Sequence, residues 1–109
     1  MQLDFENIDS AERLDALLAE SHEHPVLLFK HSDSCGISAD VFEQVAAEIE
    51  DIHIVVVQKD RAVSNLIAER LGIRHASPQA FVLWQGVPVY HATHYGIDPK
   101  AIAEKLEHK

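Results

Sequence analysis

Two short apolar runs, one on each side of a helical pattern, constrain the fold of this chain more than any other feature. Residues 26–29 are continuously apolar, and residues 52–57 are rich in β-branched side chains, so each run predicts a strand. Between them, apolar residues recur at helical spacing from Val41 to Ile49. Two strands joined through a helix form a βαβ unit, whose right-handed crossover makes the strands parallel. The pattern therefore predicts an α/β fold.

Cap residues predict three further helices. Asp9 followed by Glu12 is typical of a capping box at the start of a first helix. Asp60 is placed to cap a helix that Gly72 ends. The Asp-Pro pair at 98–99 combines an N-cap with a proline at the first helical position, and so predicts the start of the last helix.

Residues 80–84 and 89–93 predict two more strands, which a short hairpin at 85–88 joins and makes antiparallel. The predicted order of elements is αβαβαββα, a four-stranded mixed sheet with helices on both faces. A chain of this length fits one domain, which we take to span residues 1–109.

The charge balance excludes several classes of partner. Nine basic side chains against 18 acidic ones give a formal net charge of −9, which argues against a nucleic-acid groove and an anionic membrane surface. No apolar run approaches the ~20 residues of a membrane span. The first six residues are acidic and lack a secretory apolar region, and one cysteine cannot form an internal disulfide. Together these features predict a cytoplasmic protein.

The single cysteine, Cys35, is placed where the first predicted strand ends and a helix begins. N–H groups in a first helical turn lack partners and the helix dipole makes that end positive, so both favour the nucleophilic thiolate. The neighbours Ser32, Asp33, Ser34 and Gly36 are turn and cap residues, so Cys35 is not expected deep inside an element. Two interpretations stay open here: a reactive thiol, or a small buried apolar residue.

The order of elements, with a cysteine at the first strand–helix junction and a proline opening the third strand, resembles the thioredoxin fold. Five segments are more specific: FKHS at 29–32, CGIS at 35–38, SPQ at 77–79, WQG at 84–86 and HATHY at 91–95. Together they resemble the monothiol bacilliredoxins of the YtxJ type over nearly the whole chain. That family usually has proline directly after the cysteine, whereas this chain has Gly36.

The resemblance implies a thiol–disulfide oxidoreductase without a tightly bound cofactor. Its co-substrate would be bacillithiol, a low-molecular-weight thiol, and its partners would be proteins that carry bacillithiol as a mixed disulfide. Cys35 would attack the outer sulfur of that disulfide, release the reduced protein and retain the small thiol. Because the chain has no second cysteine, a second small-thiol molecule must release the adduct.

Residues next to Cys35 are further candidates. Ser38 lies three residues later on the same helix face, and its hydroxyl is a candidate donor to the thiolate. An ordinary first-turn serine that bonds backbone groups is the alternative. The resemblance implies that Gly36 and Ile37 contact the substrate.

The resemblance also implies that Pro78 follows a cis peptide bond. Ser77 and Pro78 would then lie opposite Cys35, where the Ser77 backbone can pair with an extended substrate. Two histidines are weaker candidates: His31, when protonated, would stabilise a thiolate, and His75 would approach through the loop before the proline. Solvated or strand-end histidines are the favoured interpretation of both.

No metal site is predicted, because His91 and His94 have a suitable spacing but no third or fourth ligand accompanies them. Two alternatives to a bacilliredoxin stay open. One is a glutaredoxin-like protein that uses glutathione, or that holds an iron–sulfur cluster through Cys35 in a dimer with added thiols. The other is a non-catalytic thioredoxin-fold adaptor whose surface binds a partner.

Overall fold

A computed structural model describes residues 4–107, so residues 1–3 of the acidic N-terminal segment and residues 108–109 lie outside this description. The helices are α1 (Ala11–Glu20), α2 (Gly36–Ala46), α3 (Arg61–Leu71) and α4 (Pro99–Leu106). The strands are β1 (Asp4–Asn7), β2 (Val26–His31), β3 (Asp51–Val56), β4 (Gln79–Trp84) and β5 (Val87–Thr93), and a 3₁₀ turn (His94–Gly96) follows β5. None of the described helices is both long and apolar enough to cross a membrane.

The sheet has five strands in the order β1-β3-β2-β4-β5, one more than the four predicted. β2 and β3 are parallel, as the βαβ pattern predicts, and β4 is antiparallel to both β2 and β5. The additional strand, β1, runs parallel to β3 with Glu6 opposite His53. Its four residues are too few and too polar to show a strand pattern, so pairing with β3 decides their conformation.

Each face of the sheet carries its own apolar core. Leu27 and Phe29 of β2 pack with residues of α2 and α4, among them Val45 and Ile102. Leu28, which lies between them in sequence, packs with residues of α1 and α3 on the other face. Because β2 is covered on both faces, its sequence is a continuous apolar run instead of an alternating one.

Helix α1 begins one residue later than predicted. Its N-cap is Ser10 and not Asp9, because Ser10 Oγ accepts a hydrogen bond from the Arg13 backbone N–H at 3.1 Å. Asp9 instead pairs with the Arg13 guanidinium, at 3.2 Å between Oδ1 and Nε. Serine and aspartate are both good N-caps, so sequence alone does not separate two adjacent candidates.

The ends of the other helices follow the prediction more closely. Gly72 ends α3 with a left-handed backbone (φ 68°). Asp98 caps α4, and its Oδ1 accepts a hydrogen bond from the Lys100 N–H at 3.0 Å, with Pro99 at the first helical position. Helix α2 ends at Ala46, short of the predicted end near residue 50.

The β4–β5 hairpin is tighter than predicted. Gln85 and Gly86 form its turn, and both have positive φ (54° and 79°), as a type I′ turn requires. Ser21, at the end of α1, accepts hydrogen bonds from both residues. Its carbonyl bonds the Gln85 N–H at 2.8 Å, and its hydroxyl bonds the Gly86 N–H at 2.9 Å. The hairpin tip is thereby fixed to the end of α1.

The loops that matter for function lie together at one edge of the sheet, the edge beyond the carboxyl ends of β2 and β3. In the pairing of β2 with β4, Lys30 is opposite Gln79, and in the pairing of β4 with β5, Gln79 is opposite Thr93. The residues after β2, the residues before β4 and the 3₁₀ turn after β5 are therefore neighbours. The loop after β3 joins them, because β3 is parallel to β2.

Candidate active site

Cys35 lies where the chain leaves β2 and enters α2, as predicted. It is the N-cap of α2, with an extended backbone (φ −114°, ψ 119°), and its side chain is half-buried and free of any disulfide. Its carbonyl accepts a hydrogen bond from the Ala39 N–H at 3.1 Å, which begins the helix. Cys35 therefore stands at the positive end of an 11-residue helix, a position that favours an anion.

Gln58, which sequence reasoning missed, holds the loop that leads into Cys35. Its Oε1 accepts a hydrogen bond from the Asp33 backbone N–H at 3.0 Å. Its Nε2 donates to Ser32 Oγ at 2.7 Å and to Ser34 Oγ at 2.9 Å. Three hydrogen bonds from one amide thus fix the path of the chain immediately before the cysteine.

Ser38 is fully buried, and its hydroxyl is engaged within the fold. Its Oγ accepts a hydrogen bond from the Ser32 backbone N–H at 3.0 Å and lies 2.9 Å from His31 Nδ1. Burial lowers the pKa of His31, although the charge of Asp33 opposes this, so a neutral ring can accept the Ser38 proton. No hydrogen bond joins Ser38 to Cys35 among the described residues. The expected donation to the thiolate is not seen, and a catalytic role for Ser38 stays a prediction.

His31 is a packed strand-end histidine, which agrees with the favoured interpretation. Its ring lies 5.4 Å from that of Phe42 and 6.4 Å from that of Phe29, centroid to centroid, between β2 and α2. Its Nε2 is 3.7 Å from Asp33 Oδ1. Because its pKa is lowered by burial, His31 does not supply the positive charge that a thiolate-stabilising role needs at neutral pH.

Ser77 and Pro78 are joined by a cis peptide bond, as the resemblance implies. Pro78 is buried directly before β4, and its carbonyl accepts a hydrogen bond from the His94 N–H at 3.0 Å. Ser77 is half-buried, and within residues 4–107 no group hydrogen-bonds its backbone. Both residues lie at the sheet edge that carries Cys35, and their contact with a substrate stays a prediction.

Gly36 and Ile37, which follow Cys35, differ in their surroundings. Gly36 is exposed, and a Cβ added there would meet no atom within 4 Å. Ile37 is half-buried and packs against the core on the α2 face. Gly36 therefore lies on the rim of the site and Ile37 beneath it, and their contacts with substrate also stay predictions.

Tyr95 is a second residue that sequence reasoning did not assign to the site. The 3₁₀ turn that carries it packs against α2, and its side chain is 63% exposed. The pKa of Tyr95 is raised by desolvation of the hydroxyl, by the charge of Asp40 and a hydrogen bond to it, and by the charge of Cys35. The exposed Tyr95 ring thus lies against α2, with its hydroxyl bonded to Asp40 and the charge of Cys35 within electrostatic range.

Lys30 places a buried positive charge at the edge of the sheet that carries Cys35. Its side chain is fully buried, and Nζ donates hydrogen bonds to the Ser64 carbonyl at 2.9 Å and to His75 Nδ1 at 3.2 Å. Burial lowers the pKa of Lys30 to about 8, so the amine is mainly charged at neutral pH. His75 itself is exposed, with one ring nitrogen directed inward at Lys30.

Gln79, opposite Lys30, anchors the loop before the cis proline. Its Nε2 donates to the Arg74 carbonyl at 3.0 Å, and its Oε1 accepts from the Ala76 N–H at 3.3 Å. The same Nε2 lies 3.0 Å from Nε2 of His91, so this ring is engaged within the sheet. The part of the chain that the structure describes holds no group of three or more His, Cys, Asp or Glu side chains arranged for a metal ion.

Comparison with known proteins decides the family. The family description "Monothiol bacilliredoxin BrxC" matches residues 6–102, which span the site and all but the ends of the fold. The chain belongs to the monothiol bacilliredoxin family. Cys35 is the thiol of this bacilliredoxin, because the sequence contains no other cysteine.

Solved structures show the thioredoxin fold. The bacilliredoxin is similar to a protein described as a proposed oxidoreductase with a thioredoxin fold, with a TM-score of 0.85, 28% identity and 94% of each chain covered. Thioredoxin of Fasciola hepatica (TM-score 0.72, 14% identity) covers 93% of this chain and 95% of its own. A poplar thioredoxin h (TM-score 0.72, 19% identity) covers 96% and 98%. Family and fold together show that this chain is a thioredoxin-like redox protein.

An open cleft of about 1240 Å³ lies at the edge of the sheet opposite to Cys35. It is lined by the starts of β2 and β3 and by the ends of α2 and α4. Four of its carboxylates are Glu20, Glu48, Glu50 and Asp51. None of the site residues described above lines it, so the bacilliredoxin site is separate from this cleft.

Proposed function

We propose that this chain removes bacillithiol from proteins that carry it as a mixed disulfide. The observation that supports the proposal is the position of Cys35, an accessible thiol at the start of α2 in a chain of the bacilliredoxin family. The thiolate is the nucleophilic form of a cysteine. Because no second cysteine is present, every disulfide that the chain forms joins it to another molecule.

The first step is attack of the Cys35 thiolate on the bacillithiol sulfur of the mixed disulfide. A bond forms between Cys35 Sγ and that sulfur, and the original S–S bond breaks. The electron pair leaves with the sulfur of the protein substrate, which takes a proton from water and becomes a free thiol. The substrate is thereby reduced, and Cys35 carries bacillithiol.

The second step restores Cys35. The thiolate of a free bacillithiol molecule attacks the bacillithiol sulfur on Cys35 and forms bacillithiol disulfide, while the Cys35 thiolate is released. In the net reaction the sulfur of the protein substrate is reduced to a thiol and the sulfur of the free bacillithiol is oxidised, while the bacillithiol initially bound passes from one disulfide to another.

Three groups at the sheet edge support these steps. Gln58 fixes the loop before Cys35, so that the thiol is presented in one position. The Ser77 backbone offers an N–H and a carbonyl to an extended segment of the protein substrate. Tyr95 offers an exposed ring against α2, within electrostatic range of Cys35.

A de-thiolation assay tests the proposal. A protein with one bacillithiolated cysteine is incubated with this chain and free bacillithiol, and the loss of the adduct is followed by mass spectrometry. We expect complete removal by the wild type and none by Cys35→Ser. When free bacillithiol is omitted, we expect a bacillithiol adduct on Cys35 itself.

Val87→Ala is a matched control, because Val87 is exposed at the start of β5, at the end of the sheet away from Cys35. The same substrate carrying glutathione gives the comparison of small thiols. Activity that persists in Cys35→Ser, or a higher kcat/KM for glutathione than for bacillithiol, would contradict the proposal.

A further inference from the structure

Lys30 is a fully buried cation without a carboxylate partner in the part of the chain described. Its Nζ donates to the Ser64 carbonyl and to His75 Nδ1, at 2.9 and 3.2 Å. Burial of a charge without an opposite charge is unfavourable. The position follows four residues of the same strand that are all buried and apolar, residues 26–29, so an apolar side chain would fit the fold better. A destabilising buried charge at the edge that carries Cys35 points to a functional role.

The contact with Lys30 determines which nitrogen of His75 carries the proton. The charged ammonium group of Lys30 only donates hydrogen bonds, so His75 Nδ1 accepts from it and the ring proton is on Nε2. Ser64 Oγ also lies 3.2 Å from the same Nδ1. The pKa of His75 is lowered by burial, by the charge of Lys30 and by that of Arg61, so the ring is neutral at neutral pH. Because His75 is exposed and Nδ1 faces inward, its Nε2–H is a fixed donor directed away from Lys30.

Two residues place this donor at the edge that carries Cys35. His75 lies two positions before Ser77, in the loop that Gln79 anchors. Arg61 is the first residue of α3, three residues before Ser64, whose Oγ lies 3.2 Å from His75 Nδ1, so the start of α3 is next to the His75 ring. Arg61 also follows closely after Gln58, which bonds Ser34 next to the cysteine. The loop that carries the His75 donor and the first turn of α3 therefore lie at the same edge of the sheet as the thiol.

We propose that His75 and Arg61 form a subsite for a carboxylate on the small-thiol half of the mixed disulfide, with Lys30 as the positioning residue that fixes the His75 ring. This rests on the proposed exchange at Cys35 and adds the chemical group that is recognised. A guanidinium and an N–H donor match the oxygens of a carboxylate. In a chain with a net charge of −9, an anionic group needs such a local site to approach.

Three model mixed disulfides of one peptide test the subsite. Their small-thiol halves are 3-mercaptopropionate, its uncharged amide 3-mercaptopropionamide, and the cationic thiol cysteamine. We expect the wild type to show a kcat/KM about tenfold higher for the carboxylate than for the amide, the usual size of a hydrogen bond to a charged group. Cysteamine should be the poorest substrate.

Variants show which residues cause the preference for the carboxylate over the amide. We expect His75→Ala and Arg61→Ala each to bring the carboxylate-to-amide ratio close to one, mainly through KM. His75→Gln, which keeps an N–H donor, should restore part of the ratio. Lys30→Met should lower the ratio because the ring is no longer fixed. Arg70→Ala is the matched control, since it removes a positive charge from the other end of α3, where Arg70 pairs with Asp15.

The outcomes separate this inference from the proposed function. Equal rates with the carboxylate and the amide in the wild type, or a ratio unchanged in both His75→Ala and Arg61→Ala, would overturn the subsite while exchange at Cys35 stands. Failure to react with all three disulfides would overturn the subsite if the bacillithiolated protein is still reduced, and failure with the bacillithiolated protein as well would overturn the proposed function. If Lys30→Met does not fold, the two surface variants decide the result.

Discussion

At the scale of single residues, Gly36 has open space around it, so the packing does not require glycine directly after the cysteine. No atom lies within 4 Å of a Cβ built there, and Gly36 occupies the first helical position, where a backbone N–H has no helical acceptor. Cys35, directly before it, has the extended backbone that a following proline requires. The structure therefore accommodates the proline that the family usually carries.

We predict that Gly36→Pro raises the free energy of unfolding by about 0.4–1 kcal/mol, because proline restricts the unfolded chain without straining the folded one. Urea denaturation of wild type, Gly36→Pro and Gly36→Ala measures the effect. Alanine is the control for the loss of glycine flexibility alone. A proline variant less stable than the alanine variant would show that the backbone at this position is not as described.

Lys30 gives the second prediction at this scale, a dependence of stability on pH. Burial lowers its pKa from 10.5 in the unfolded chain to about 8 in the folded one. Between these values the unfolded chain binds more protons than the folded chain, so the free energy of unfolding rises with pH through this window. Below about pH 8 both states are protonated, and the unfavourable burial of the charge, about 3 kcal/mol, is present in full.

We expect Lys30→Met to be more stable than the wild type at neutral pH and to lose this advantage as pH rises from about 8 to about 10.5. Urea midpoints of both proteins across the window measure it. The difference between the two proteins removes the contribution of Tyr95, whose pKa is also shifted. A constant difference in stability at all pH values would contradict the assignment.

At the scale of elements, the loop after β3 and the loop after β2 act as one unit. The link is Gln58, whose amide bonds Asp33, Ser32 and Ser34. Both loops follow parallel neighbouring strands, so they reach the same edge of the sheet and a single side chain can span them.

We predict that Gln58→Ala lowers the exchange rate of Cys35 about three- to tenfold while lowering stability by only about 1 kcal/mol, since these hydrogen bonds are partly exposed. Faster hydrogen exchange at the Asp33 amide should accompany the loss. Gln58→Glu keeps the acceptor for that amide but loses both donors to the serines, so it should restore the Asp33 protection and not the full rate. An unaltered rate in Gln58→Ala would show that the loop holds its path without this amide.

Some of the elements can be predicted from the sequence, and others cannot. The parallel pair β2 and β3, the hairpin of β4 and β5, and Cys35 at the start of α2 follow from local patterns and are confirmed. Strand β1 was missed because only its neighbour makes it a strand. Gln58 and Tyr95 were missed because they reach the site through the sheet topology. Lys30 did carry a signal, since a charge inside an apolar strand is unusual.

At the scale of the whole molecule, the net charge of −9 governs how substrates approach. The field of the whole chain repels acidic proteins and attracts basic ones over distances that salt screens. The subsite proposed for a carboxylate acts at contact distance and does not change the sign of this long-range field.

We predict that raising the salt concentration from about 10 mM to about 150 mM increases kcat/KM several-fold for an acidic mixed-disulfide protein and decreases it for a basic one. Stopped-flow measurement of the first exchange step with two substrates of opposite net charge tests this. An uncharged peptide disulfide is the control, and its rate should change little. The same salt response for both proteins would exclude steering by the net charge.

The buried hydroxyl of Ser38 also limits which residues can replace this serine. Ser32 N–H and His31 Nδ1 both depend on that oxygen. A thiol at position 38 is a weak donor and a weak acceptor, so both groups would be left poorly bonded inside the protein. A Ser38→Cys substitution, which would supply a second cysteine three residues after Cys35, is therefore expected to weaken the fold.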